Sequence, residues 1–175
     1  MALLETRGLS KSFGGLKAVS GVDLKVQPGT VHGLIGPNGS GKSTFFNLVT
    51  GVYQPDPGSH IEFDGYDITN LQAHGIAALG MARTFQLLRL FSEMTVLENV
   101  MVGNHCKTSY GIVESLLGTS RVRQADQQMK EEMLDLLEFI GLANFADIPA
   151  AELSGGQRRL LALGRAIAMK PKLLL

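Results

Sequence analysis

The sequence predicts an α/β domain carrying a helical subdomain, and three observations point to that class. Strand-like segments dominate the first third of its 175 residues. Amphipathic helices fill the middle, and a strand-like run, Leu173 to Leu175, returns only at the very end. A glycine-rich stretch, Gly36 to Thr44, stands between an apolar segment and a helical one. A chain of this length holds one domain, or one domain with a subdomain.

The elements follow in order. "LLETRGLSKSF" and "LKAVSGVDLKV" carry partly alternating apolar residues broken by Gly and Ser, so they read as antiparallel strands with Val22, Leu24 and Val26 on one face. Gln27, Pro28 and Gly29 form a turn. "TVHGLIG" reads as a short strand running into the glycine-rich loop, and "KSTFFNLVTG" as a helix closed by Gly51. "QPDPGS" is a turn and "IEFDG" a strand, with Asp64-Gly65 signalling a tight turn after it. From about residue 71 the pattern becomes helical. Thr95, followed three residues later by Glu98, has the spacing of a capping box. Residues 104–126 are the least patterned and read as a loop with a short helix. A strong amphipathic helix follows, with Met129, Met133, Leu136, Leu137 and Ile140 on one face and Gly141 at its end. Ser154 opens a last helix over about 155–169.

Composition removes several function classes. Lys+Arg and Asp+Glu both count 16, which argues against a polybasic nucleic-acid binder and against an acidic disordered tail. The single cysteine, Cys106, excludes a disulfide framework and fits a reducing compartment. Glu5 interrupts the N-terminus too early for a signal peptide. No run approaches the ~20 apolar residues of a membrane span. These features are expected of a cytosolic chain able to dock on a membrane protein. His32, His60, His74 and His105 show no metal-ligand spacing.

"GPNGSGKST" fits the pattern G-x-x-x-x-G-K-[ST]. A triphosphate carries several negative charges. Successive backbone N–H groups surround it only where the chain bends tightly, and glycine lowers the cost of that bend. The helix behind the loop adds the partial positive charge of its N-terminus. The nucleotide-binding set is therefore Gly36, Pro37, Asn38, Gly39, Ser40, Gly41, Lys42, Ser43 and Thr44. Lys42 is expected to reach the β- and γ-phosphates, Ser43 to ligate Mg²⁺, and Thr44 to support the α-phosphate end.

A second motif narrows the class. "LSGGQ", Leu153 to Gln157, resembles the signature sequence of ATP-binding-cassette (ABC) ATPases, and "LSGGQRRLLALGRAIAMKPKLLL" continues as that family does. Gln86 in "RTFQ" matches the family's Q-loop, and Phe13 sits where the family places an aromatic that stacks on adenine. Ser154 and Gln157 also fit an S-x-x-Q capping box, which needs no ligand. A cap leaves Gly155 and Gly156 unexplained, because glycine in a helix costs about 1 kcal/mol against alanine. Close approach of a phosphate explains both. More narrowly, "ARTFQLLRLFSEMTVLENVMVG" resembles the ATPase subunits of branched-chain amino acid importers, with lipopolysaccharide-export ATPases as close relatives.

The resemblance implies a P-loop NTPase core with an N-terminal antiparallel β-subdomain and an inserted α-helical subdomain, incomplete at the C-terminus. It divides the chain at about 1–86, 87–150 and 151–175. It implies ATP and Mg²⁺ as ligands, with Gln86 and Ser43 at the metal. A second ATPase subunit would pair head-to-tail, so that Leu153, Ser154, Gly155, Gly156 and Gln157 cover the partner's nucleotide. Transmembrane permease subunits and, indirectly, a solute-binding protein complete the assembly, and the chain would sit on the inner face of the cell membrane. In the family an apolar strand ends in a Mg²⁺-supporting Asp, followed by a water-polarising Glu and later by a His. "KLLL" matches the start of that strand, and these groups lie beyond Leu175. The expectation is a chain that binds nucleotide and hydrolyses it poorly. The alternatives are a non-catalytic ATP-binding or docking fragment, or the ATPase of a related exporter.

Overall fold

The computed structural model describes residues 1–84, 90–104 and 120–175, with side chains described from 124 onward in the last stretch. The chain divides into two compact units, Met1–Met81 with Leu175, and Ala82–Leu174.

The first unit is built on a four-stranded antiparallel sheet in the order β2-β1-β3-β4. Its strands are β1 (Leu4–Phe13), β2 (Leu16–Val26), β3 (His60–Phe63) and β4 (Tyr66–Asp67). Asp64 and Gly65 both have positive φ, 50° and 81°. They make the two-residue turn that sets Phe63 opposite Tyr66, as the Asp-Gly pair predicted. The β1–β2 ladder shifts register between Thr6 and Leu9, between Leu9 and Lys11, and between Lys11 and Ser12. Side chains satisfy the backbone at these irregularities: Gly8 N–H donates to Asp23 Oδ1 at 2.6 Å, and Gly21 N–H to Ser10 Oγ at 2.8 Å. The shifts turn Val19 into the core although it falls out of step with Val22, Leu24 and Val26. Helix α1 (Lys42–Val49) buries Phe45, Leu48 and Val49 in this unit, whose core also holds Leu4, Leu9, Ile61 and Phe63. A short helix, α2 (Ala73–Ala78), buries Ile76.

The second unit is mostly helical. Its helices are α3 (Val96–Asn104), α4 (Ser120–Phe139) and α5 (Gly155–Ala168). They enclose a core of Val96, Val100, Met133, Leu137, Leu142, Leu153 and Leu161. The short strand β6 (Leu173–Leu174) pairs with β5 (Met81–Ala82). The capping box predicted at Thr95 is present: Glu98 Oε2 accepts from Thr95 N–H at 2.8 Å, and Glu98 N–H donates back to Thr95 Oγ1 at 3.1 Å. Of the amphipathic stripe, Met133 and Leu137 are buried and Met129, Leu136 and Ile140 are half-buried against the same core, and Gly141 follows at φ 75°. One boundary differs. α4 begins at Ser120, inside the stretch expected to be irregular, because nothing from 120 to 139 is Gly or Pro and a polar segment can extend a helix nucleated elsewhere. The rest of that stretch, 105–119 with His105 and Cys106, lies outside the described residues.

Asn99 organises the entry to α3. It is fully buried. Its carboxamide accepts from Phe91 N–H at 3.0 Å and donates to the carbonyls of Phe91, Thr95 and Met94 at 2.9, 3.0 and 3.3 Å. The loop it clamps is itself bonded to the chain leading into α5, through Ala150 N–H to Met94 O at 2.9 Å and Ala151 N–H to Ser92 O at 3.1 Å. The Arg165 guanidinium stacks over Phe91, 5.8 Å from the ring centroid, and burial holds its pKa below the ordinary value. Asn99→Ala leaves the Phe91 N–H without its partner, while the carbonyls of Phe91, Met94 and Thr95 keep the N–H groups of Met94, Ala150 and residue 99; it is expected to cost about 1 kcal/mol, read as a shift in the denaturant midpoint. An unchanged midpoint would show that water replaces the amide.

Candidate functional site

The glycine-rich loop lies in the first unit and leads directly into α1. No side chain caps α1, and its first turn holds no acidic residue, so the helix's leading N–H groups carry their partial positive charge without a carboxylate to cancel it. Gly39 and Gly41 sit at φ 84° and 87°, the left-handed turns that wrap the chain ahead of the helix. Gly41 is packed so tightly that an added Cβ would come well inside van der Waals contact with the Ala18 carbonyl oxygen in β2. That contact seats the loop against the sheet.

Lys42 folds back over the loop. Its Nζ donates to the carbonyls of Gly36 and Pro37, each at 2.6 Å, with Ser40 Oγ at 3.4 Å. The ammonium is thus held above the segment Gly36–Ser40, all of which is exposed. Ser43 is exposed at the first turn, and Thr44 is half-buried beside it. A cavity of about 350 Å³ opens beneath the loop, lined by Val19, Val22, Leu34, Ile35, Gly41 and Phe45 among others.

One expected element is not formed. Residues 30–37 have no regular structure, although "TVHGLIG" reads as a strand; Val31 is fully exposed and Ile35 is 92% exposed. A buried parallel strand takes its hydrogen bonds from neighbours on both sides, and no strand lies beside this segment among the described residues.

Phe13, the last residue of β1, is 44% exposed. Its ring meets Tyr53 at a centroid distance of 5.4 Å and an interplanar angle of 75°, and Lys11 Nζ stands 5.6 Å from its centroid. Sequence reading identified Phe13 but neither contact, since Tyr53 lies 40 residues further along the chain.

Leu153 to Gln157 lie in the second unit. Leu153 is buried, and Ser154 caps α5 in a closed box: Ser154 N–H donates to Gln157 Oε1 at 2.8 Å, and Gln157 N–H to Ser154 Oγ at 3.4 Å. An added Cβ at Gly155 or Gly156 would meet nothing within 4 Å. Intramolecular packing therefore does not demand glycine at either position. Gln86 lies outside the described residues.

Among the described residues no group of three His, Cys, Asp or Glu side chains could hold a metal ion. Ser43 offers the hard oxygen that Mg²⁺ accepts, and Mg²⁺ keeps much of its coordination from phosphates and water. The residues present therefore fit a Mg²⁺ delivered on a triphosphate rather than one held by the protein alone.

Comparison with known proteins agrees with this geometry. Residues 19–175 match the family model described as ABC transporter. The high-affinity branched-chain amino acid transport ATP-binding protein BraF of Pseudomonas aeruginosa is 42% identical over 173 residues, which cover 99% of this chain and 68% of that protein. Among solved structures, the ADP conformation of an ATP-binding cassette of an ABC transporter superposes with a TM-score of 0.81 at 39% identity, over 99% of this chain and 67% of that one. A dimeric bacterial ABC transporter cassette has a TM-score of 0.78 at 24% identity, over 98% of this chain and 72% of its own, and shows the fold. The chain thus spans about two thirds of the length of the relatives it matches. Its α/β architecture is that of the P-loop ABC ATPase cassettes, and the chain belongs to the ABC transporter family as an ATP-binding subunit.

Proposed function

We propose that this subunit couples ATP binding and hydrolysis to the import of branched-chain amino acids. The observation that carries the nucleotide part is the uncapped start of α1 with Lys42 poised over an exposed glycine loop. The similarity to BraF, a branched-chain amino acid transport ATP-binding protein, supports the solute. In this reading Phe13 supports the adenine, and Gly36, Pro37, Asn38, Gly39, Ser40, Gly41, Lys42 and Thr44 hold the phosphates. Ser43 holds Mg²⁺ together with Gln86. Residues 1–86 form the nucleotide-binding part, 87–150 the helical subdomain and 151–175 the signature helix with the strand after it. No helix among the described residues is long and apolar enough to cross a membrane. The similarity to transport ATP-binding proteins supports docking on permease subunits at the cytoplasmic side of the membrane, with a solute-binding protein acting through them. Mg²⁺, when bound, neutralises charge developing on the transferred phosphoryl group. Reconstitution of a whole subunit that carries this sequence with a branched-chain amino acid permease and its binding protein should give ATP-dependent leucine uptake into vesicles; ATP-dependent uptake of leucine no faster than of an unrelated amino acid would sink the solute assignment.

Leu153, Ser154, Gly155, Gly156 and Gln157 are assigned to the nucleotide of a second cassette paired head-to-tail. Glycines that no packing among the described residues requires are explained by a ligand arriving from outside the chain. Gly155→Ala and Gly156→Ala should each stabilise α5 by about 0.5–1 kcal/mol while abolishing ATP turnover of a transporter assembled from whole subunits that carry this sequence. The thermal midpoint and phosphate release read the two effects. A variant that melts higher and still turns over at the parent rate would leave the glycines without this role.

A further inference from the structure

A ring that stacks on a base must itself be held in place. Phe13 ends a strand at the Gly14-Gly15 turn and is 44% exposed. An aromatic side chain so placed is free to change rotamer, and a mobile ring is a poor stacking surface because binding must first order it. Tyr53 restrains it, edge to face, at 5.4 Å. Tyr53 in turn hangs from the helix that begins at the phosphate loop: its N–H donates to Asn47 O at 3.1 Å, and the N–H of Val52 donates to the same carbonyl at 2.9 Å. α1 thus carries Lys42 at its first residue and, just past its last, the ring that holds Phe13. Lys11 supplies the second contact, with Nζ also 3.8 Å from the Asp56 carboxylate. Asp56 N–H donates to Ser10 O at 2.9 Å, tying the turn that follows Tyr53 to β1.

We propose that Tyr53 is a positioning residue for the base of the nucleotide: it fixes the Phe13 ring relative to the phosphate loop, so that one rigid helix sets the distance between base platform and Lys42. The ligand class is a nucleoside triphosphate held at both ends. The proposal rests on the nucleotide reading and adds a residue that touches neither base nor phosphate.

Calorimetric titration of the whole chain with Mg·ATP and, separately, with inorganic tripolyphosphate tests it. Tyr53→Leu should weaken ATP binding about tenfold, with tripolyphosphate affinity within about twofold of the parent, because the phosphate loop is untouched. Tyr53→Phe keeps the ring and should retain parent affinity for both. ATP binding unchanged in Tyr53→Leu would overturn the proposal. So would equal losses for ATP and tripolyphosphate, or a Tyr53→Phe variant as weak as Tyr53→Leu. A parent chain that binds neither probe would instead overturn the nucleotide reading itself.

Discussion

Lys42→Met is expected to weaken Mg·ATP binding about 100-fold while moving the thermal midpoint by less than ~2 °C. The asymmetry follows from where the ammonium sits. Its bonds to the Gly36 and Pro37 carbonyls are short but exposed, and an exposed hydrogen bond is exchanged for water at little net cost. The same ammonium against a triphosphate forms charge-assisted bonds to several anionic oxygens, each worth ~1.5–3 kcal/mol. Loss of two such bonds, partly offset by relaxation of the loop, leaves roughly 2.7 kcal/mol, or about two orders of magnitude in Kd. Methionine keeps the length of the stem, so α1 has no reason to move. Titration with a fluorescent ATP analogue and a melting curve on the same sample read both quantities. Binding within threefold of the parent would show that the backbone N–H groups and the helix terminus carry the affinity without the lysine.

What the sequence disclosed depended on how local the determining interaction is. The Asp64-Gly65 turn and the capping boxes at Thr95 and Ser154 are settled by residues within three positions of each other, and all three are present. The glycine loop is equally local, which is why its residues and its helix were readable together. Residues 30–36 are different. Their apolar run is compatible with a buried strand, but strand formation depends on neighbours brought from elsewhere in the chain, and composition carries no information about whether they are in place. The start of α4 was missed for the opposite reason, because a polar helical turn has no apolar period to detect. Asn99 reads locally as one polar residue in an apolar run, and only the loop packed against it shows that the amide is a clamp. At the candidate site, the sequence singled out Phe13 and Lys42 but not Tyr53, which matters only through a ring contact made across 40 residues.

Gly41→Ala should be the most damaging single methyl addition in the first unit. Two costs combine there. At φ 87° an L-residue is strained by about 1–2 kcal/mol. The new Cβ would also overlap the Ala18 carbonyl oxygen, with Val19 Cγ2 only 3.4 Å away. That carbonyl belongs to β2, whose neighbour Val19 is paired with Lys11 across the ladder, so the wall has little freedom to recede. Overpacking against such a wall adds about 1–3 kcal/mol. The expected loss is therefore on the order of 3 kcal/mol, with the start of α1 pushed away from the sheet. Since Lys42 is the next residue, the displacement is transmitted directly to the phosphate site, where an error of about 1 Å is enough to cost up to 100-fold in function. Gly39→Ala separates the two causes. Gly39 has nearly the same φ, 84°, but nothing lies within 4 Å of its added Cβ, so it should show the strain alone, about 1 kcal/mol. Denaturant midpoints for the pair measure the difference. Equal destabilisation would mean that β2 yields to the new methyl and that the loop is seated by backbone conformation alone; a gap of about 2 kcal/mol would place the seat of the phosphate loop on the carbonyl of Ala18.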